Sequence, residues 1–214
     1  MEEPTRPVPE ISIYGGTFSP PHNGHVNAVN EILSKLSPDR LYIVPTAIPP
    51  HKEISPLDDP MKRAEMVKLA FSDHPEFQKR LFISTVELRR GGKSYTADTL
   101  SHFRGEGNLT LCCGTDMFLS LDKWYHPERI FSLARIALID RYRQTPELHE
   151  QIAEKSEFYR QHFGARLFFP KVNVVDLSST DIRAAISAGE DVSASVPAAV
   201  LEYIKENGLY ENAE

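Results

Sequence analysis

No stretch of this chain approaches the roughly 18 consecutive apolar residues that a membrane-spanning helix needs, and the opening MEEPTRPVPE is acidic and proline-rich, without the apolar centre of a secretion signal. Cysteine is scarce: Cys112 and Cys113 stand side by side in LTLCC. Neighbours on a strand point to opposite faces, so the pair reads as reduced core residues and neither a disulfide framework nor a metal site. Nor is there an excess of positive charge. Lys and Arg number 24 against 30 Asp and Glu, a formal net charge of -6, which excludes the basic footprint of non-specific nucleic-acid binding. Any phosphate the protein holds must be met by a local cluster. Two familiar phosphate cradles, G-x-x-x-x-G-K-[ST] and G-x-G-x-x-G, are missing as well. The expectation is a cytoplasmic protein with no membrane or nucleic-acid partner, a frayed tail over residues 1–10 and a single domain over 11–214.

What the chain does have is ample core material, with 41% hydrophobic and 9% aromatic residues, which rules out a disordered reading. Short apolar runs recur as ISIYG, RLYIVPT, LFISTVE, LTLCCG, RIALID and ARLFFPKVNVVDL, separated by segments of helical period. Between the first two runs, Val26, Val29, Ile32, Leu33 and Leu36 share one helical face. Between the second and third, Asp59 is placed to cap a helix, with Pro60 at its first position and Met66, Leu69 and Ala70 inside. After RIALID comes a polar helical insert closed by Gly164. Two short helices follow, one ending at Gly189 and one running from Pro197 to Gly208. This alternation predicts an α/β fold: a doubly wound, mostly parallel sheet of Rossmann-like type with a small helical C-terminal end.

Ligands of such sheets sit outside the carboxyl ends of the strands. The first strand runs into GGTFSPPHNGH, Gly15 to His25. Gly15 and Gly16 permit close backbone approach, and a helix opening near Asn23 aims free N–H groups at the same place. His22 and His25, at i and i+3, project from one side of that start and suit phosphate oxygens. A solvated turn is the plain alternative for any single histidine. Strand, glycine turn and helix start in this order favour a binding site. PPHK, with His51 and Lys52 behind two prolines, reads equally as a stiff surface loop or as a cationic contact. In LSSTDIR, Ser179 or Thr180 capping a helix would be ordinary, and Arg183 a solvated residue. Asp116 in GTDMFLSLDKWYHP would be a helix cap, and Trp124 with Tyr125 a buried aromatic pair.

GGTFSPPHNGH resembles the HxGH signature of the nucleotidylyltransferase superfamily. With VPTAIPPHK, SYTADTL, GTDMFLSLDKWYHPERI, LSSTDIR and VPAAVLEYIKENGLY in order, the chain from Ile11 to Tyr210 is similar to the bacterial nicotinate mononucleotide adenylyltransferases. The resemblance implies transfer of an adenylyl group from ATP to nicotinate mononucleotide, with Mg2+ on the triphosphate and pyrophosphate released. It implies that His22, His25 and Arg183 are catalytic. It further implies that Gly15, Gly16, Thr17, Phe18, Gly24, Asp116 and Ser179 join them around ATP, Asp116 on the adenosine side and Ser179 with Arg183 at the β- and γ-phosphates. Lys52 would contact phosphate, Trp124 would stack on the pyridine ring, and backbone N–H groups of Thr96 and Tyr125 would meet the nicotinate carboxylate. It allows a homo-oligomer. Two departures stand out: Ser19 replaces the aspartate more usual in GGTFDP, and DRYRQ stands where the family has RPGY, leaving open whether Arg141 or Arg143 faces ATP. The alternatives are another HxGH transferase, such as phosphopantetheine adenylyltransferase, and a binding module without turnover.

Overall fold

Six parallel strands, β1 (Glu10–Gly16), β2 (Arg40–Pro45), β3 (Leu81–Ile83), β4 (Asn108–Cys113), β5 (Ala134–Leu138) and β6 (Leu167–Phe168), form one sheet in the order β3-β2-β1-β4-β5-β6. The structure, a computed structural model, describes residues 7–50, 58–74, 77, 79–139 and 145–211. The readings of His51, Lys52, Arg141 and Arg143 lie outside these residues. The doubly wound expectation holds, and the strand order reverses between β1 and β4, the place where such sheets open a crevice.

Helices α1 (Asn23–Lys35), α2 (Pro60–Ala70), α8 (Ser179–Ser187) and α9 (Ala198–Glu206) cover one face of the sheet. Helices α3 (Val86–Arg90), α4 (Thr96–His102), α5 (Thr115–Ser120), α6 (Pro127–Leu133) and α7 (Pro146–Phe163) cover the other. Cys112 and Cys113 point into the two opposite cores, and burial pushes both thiols up, that of Cys112 to about 12. They are inert packing groups. Asp59 caps α2 through Met61 N–H (2.8 Å) with Pro60 following, as its sequence predicts.

Three expectations shift. Glu10 is already strand, and the carbonyl of Pro9 accepts from Asn108 N–H, so pairing starts inside the stretch read as tail. LFISTVE keeps only three strand residues before α3 begins. ARLFFPKVNVVDL forms only the two-residue β6, because Pro170 has no N–H to give the sheet. The chain beyond it is instead tethered to polar side chains of α1, with Asn173 N–H donating to Glu31 (3.2 Å) and Val175 N–H to Asn27 (2.8 Å). That path returns residues 174–180 to the crevice.

The polar insert is α7, capped by Thr145 and closed by Gly164 at φ 61, and a half-buried ion pair ties it to the body. Lys155 Nζ donates to both oxygens of Asp122 (2.9 and 2.8 Å), and the Tyr159 hydroxyl lies 3.0 Å from Asp122 Oδ1. Burial alone would raise the Asp122 carboxyl, but these hydrogen bonds outweigh it and hold the group below the ordinary carboxylate range. A depressed folded pKa gives stability that is present above the unfolded value of about 3.9 and is lost as pH falls through the folded one. Asp122→Asn should therefore lower Tm at neutral pH, with the gap to wild type closing below about pH 4. Melting curves from pH 7 to 3 check this, and a gap independent of pH would remove the ion pair from the account.

Candidate active site

An open cleft of about 2310 Å³ lies where the strand order reverses, lined by the residues that follow the carboxyl ends of β1 and β4. Gly15, Gly16, Thr17, Phe18, His22, Gly24, His25, Thr96, Asp116, Trp124, Tyr125, Ser179 and Arg183 all border it. Segments more than 150 residues apart in sequence thus meet at one place, and every candidate within the described residues is among them.

The loop after β1 is shaped by close packing. Phe18 adopts φ 52 and buries its ring 4.9 Å from that of His25 and 6.0 Å from that of Tyr14. A Cβ on Gly16 would lie 3.0 Å from the Phe18 ring, so glycine is what lets that ring fold beneath the strand end. His22 is the N-cap residue of α1 and His25 its third position. Their rings stack at 3.7 Å, tilted by 31°. His22 N–H donates to His25 Nδ1 (3.2 Å), which fixes His25 as the tautomer carrying its proton on Nε2, a ready donor to an anion. The glycine between them is sterically dictated: a Cβ on Gly24 would stand 3.0 Å from His22 Nδ1 and 3.0 Å from the carbonyl of Val175. Gly24→Ala should leave the protein folded but displace the His22 ring, cutting turnover by about 10- to 100-fold. Steady-state rates beside a thermal melt test this, and an alanine variant at wild-type rate would show that the ring position is immaterial.

At the start of α8 the cap is Ser178, whose Oγ accepts from Thr180 N–H (3.2 Å) and Asp181 N–H (3.4 Å). Capping by Ser179 or Thr180, the ordinary reading, is thereby corrected. Ser179 instead donates its hydroxyl to Pro20 O (2.9 Å), and Arg183 donates Nη1 to Ser19 O (2.7 Å). Both tie α8 to the loop after β1. Asp116 is exposed in the first turn of α5, whose cap is Gly114, so it is not the helix cap either. Thr96 opens α4 and is anchored one turn on, where Thr99 Oγ1 donates to the buried Glu87 (2.6 Å). The Tyr95 and Tyr125 rings meet at 4.3 Å, joining SYTADTL to the tryptophan segment. Trp124 donates Nε1 to Ser120 Oγ (3.2 Å) and borders the cleft rather than filling a core.

Residues 13–185 match the cytidylyltransferase-like family. Over 206 residues the chain is 34% identical to the nicotinate-nucleotide adenylyltransferase of Bacillus subtilis (strain 168), covering 95% of this chain and 99% of that relative. This chain belongs to the nicotinate-nucleotide adenylyltransferase family. The fold is shared with two solved structures of Plasmodium falciparum nicotinic acid mononucleotide adenylyltransferase. The one complexed with NaAD gives a TM-score of 0.71 at 17% identity over 95% of this chain and 98% of that one. The one complexed with APC gives 0.70 at 15% identity over 96% and 100%.

Behind the wall of the adenylyltransferase cleft lies a polar cluster that sequence reading passed over. Arg63 of α2 is fully buried, donating to Thr17 O (2.7 Å), Thr46 O (2.7 Å) and Ala47 O (2.9 Å), with its Nε 3.0 Å from Asp58 Oδ1. One guanidinium thus pins the loops after β1 and β2, the two nearest the cleft on that side. Burial pulls the Arg63 pKa down, opposed by the Asp58 charge. The signal was present in the sequence: Arg63 shares a helical stripe with the buried Met66, Val67 and Ala70, where a charge is out of place unless it is paired.

Proposed function

We propose that the cleft binds ATP and nicotinate mononucleotide side by side and transfers the adenylyl group between them, giving nicotinate adenine dinucleotide and pyrophosphate. The observation that carries this reading is the convergence on one cleft of a stacked histidine pair at the start of α1, Arg183 of α8 and the aromatic wall of Tyr95, Trp124 and Tyr125.

The chemistry needs no protein nucleophile. An oxygen of the mononucleotide 5'-phosphate, already anionic, attacks the α-phosphorus of ATP. As that P–O bond forms, the bond from the α-phosphorus to the oxygen bridging it to the β-phosphorus breaks, and its electron pair leaves on pyrophosphate. Catalysis is then positioning and neutralisation of charge moving toward the leaving group. His25, its Nδ1 occupied by His22 N–H, turns its Nε2–H to a phosphate oxygen, with His22 beside it. The backbone from Gly15 to Phe18 lines the path between the nucleotides, and Gly24 keeps the second histidine close. Arg183 has donors beyond the one given to Ser19 O, and it meets the β- and γ-phosphates with Ser179 beside it. Asp116 stands at the adenosine, and Lys52 remains the assignment for a phosphate contact. Trp124 stacks on the pyridine ring, while Thr96 and Tyr125 offer backbone N–H groups to its carboxylate.

Among the described residues no three His, Cys, Asp or Glu cluster as a metal cage. A Mg2+ ion bound with ATP would be held mainly by the triphosphate and its own waters and would offset charge on the departing pyrophosphate.

The test is pyrophosphate release by the full chain. Release is expected with ATP and nicotinate mononucleotide together and with neither alone. No release above background, or equal release with phosphopantetheine, would overturn the reading.

A further inference from the structure

We propose that Ser19 and Asp58 are a positioning pair that sets where Arg183 and the loop after β1 stand in the cleft; the kinetic part of the proposal rests on the adenylyl-transfer reading. Ser19 is the meeting point of four segments. Its hydroxyl donates to Asp58 Oδ2 (2.6 Å), its carbonyl accepts from Arg183 Nη1 (2.7 Å), and its Oγ lies 3.3 Å from the Tyr210 hydroxyl near the C-terminus.

The direction of these bonds follows from proton counting. Asp58 pairs one carboxylate oxygen with the fully buried Arg63 (3.0 Å), and its other oxygen takes the single Ser19 proton. Tyr210 must then supply its own proton to Ser19 Oγ. The result is a one-way relay, Tyr210 to Ser19 to Asp58, with Arg63 compensating the charge at its end. Ser19 is itself buried at the cleft wall, so losing either partner leaves a polar atom poorly compensated. Because the carbonyl that Arg183 grips belongs to the same residue, a shift of Ser19 moves the guanidinium. In this chain a serine stands where GGTFDP would put a carboxylate, and Asp58 brings one to the same spot from 39 residues further along. The charge has been carried to the other end of the hydrogen bond.

An exchange of the two residues tests this on the full chain. Asp58→Asn and Ser19→Asp should each lower kcat/KM for ATP by about 10- to 100-fold, the first by loosening the loop and the second by setting two carboxylates together. KM for nicotinate mononucleotide should move by less than about threefold, since the pair touches the Arg183 side. The double variant Ser19→Asp, Asp58→Ser keeps one carboxylate and one hydroxyl and should recover to within about fivefold of wild type. Ser19→Ala, which leaves Asp58 on Arg63, should lose about 3- to 10-fold and decides the matter with the exchange if Asp58→Asn does not fold. The proposal is overturned if the exchange is as poor as the two single losses combined, if the folded Asp58→Asn or Ser19→Ala variant keeps wild-type kcat/KM, or if the exchange restores Tm without restoring kinetics. A wild type without turnover would overturn the adenylyl-transfer reading alone. The pair would then be decided by the melting-temperature cycle over positions 19 and 58 and by calorimetric titration with ATP.

Discussion

His25→Ala is expected to lower kcat by about 10²- to 10³-fold or more, with a much smaller rise in the KM for ATP. The split follows from when the contact matters. In bound ATP the triphosphate charge is already spread over many oxygens and met by several donors. As the α–β bridge breaks, negative charge grows on the leaving pyrophosphate, and a donor aimed there gains in the transition state what it lacks in the ground state. The His25 ring is immobilised for this task by Phe18 at 4.9 Å, by His22 at 3.7 Å and by the bond from His22 N–H to its Nδ1. Its donor therefore costs no reorganisation at the moment of reaction. Asparagine at position 25 keeps a donor but loses the stacked ring, and should fall between alanine and wild type. A His25→Ala enzyme within about threefold of the wild-type kcat would sink the assignment.

The parts of this site legible in the sequence are those set by local rules. Gly16, Gly24 and the histidine spacing belong to one strand-turn-helix unit, so their convergence follows from backbone geometry alone. The doubly wound parallel architecture follows from alternating strands and helices. What stayed hidden was set by tertiary partners. Ser178 rather than Ser179 caps α8 because Pro20 O takes the Ser179 hydroxyl, and nothing near residue 179 announces Pro20. The run after Phe168 looked like strand on composition, yet Asn27 and Glu31 of α1 claim its N–H groups. Arg63 sits on a buried stripe, but which acceptors it meets was not legible, because they are main-chain carbonyls of two distant loops that carry no side-chain signature. Charge relocation of the Ser19 and Asp58 kind is legible only once both ends are seen together.

Wild-type enzyme should prefer nicotinate over nicotinamide mononucleotide by roughly 30- to 1,000-fold in kcat/KM, corresponding to about 2 to 4 kcal/mol. The reasoning begins with the donors. Thr96 opens α4, so its N–H has no carbonyl one turn back to serve, and Tyr125 follows the tryptophan in the bend before α6, bordering the cleft. Fixed backbone donors suit a carboxylate oxygen, whereas a carboxamide removes the charge and turns its own NH2 toward N–H groups. Trp124 reads the ring face, which the two substrates share. Trp124→Ala should thus weaken both while leaving most of the preference in place. A competing source of the preference is Lys123, which also borders the cleft. An exposed ammonium acting through solvent would be screened, so its share of the preference would fall between low salt and 0.5 M salt, and Lys123→Met would abolish it. Close hydrogen bonds from main-chain N–H groups predict the reverse: a preference nearly constant with salt and retained in Lys123→Met. Steady-state kinetics on both mononucleotides, for wild type, Trp124→Ala and Lys123→Met at two salt concentrations, separates the two sources. Equal kcat/KM for the two substrates in the wild type would show that the carboxylate is not read at all, and a preference lost in Lys123→Met would transfer the reading from the backbone of Thr96 and Tyr125 to that side chain.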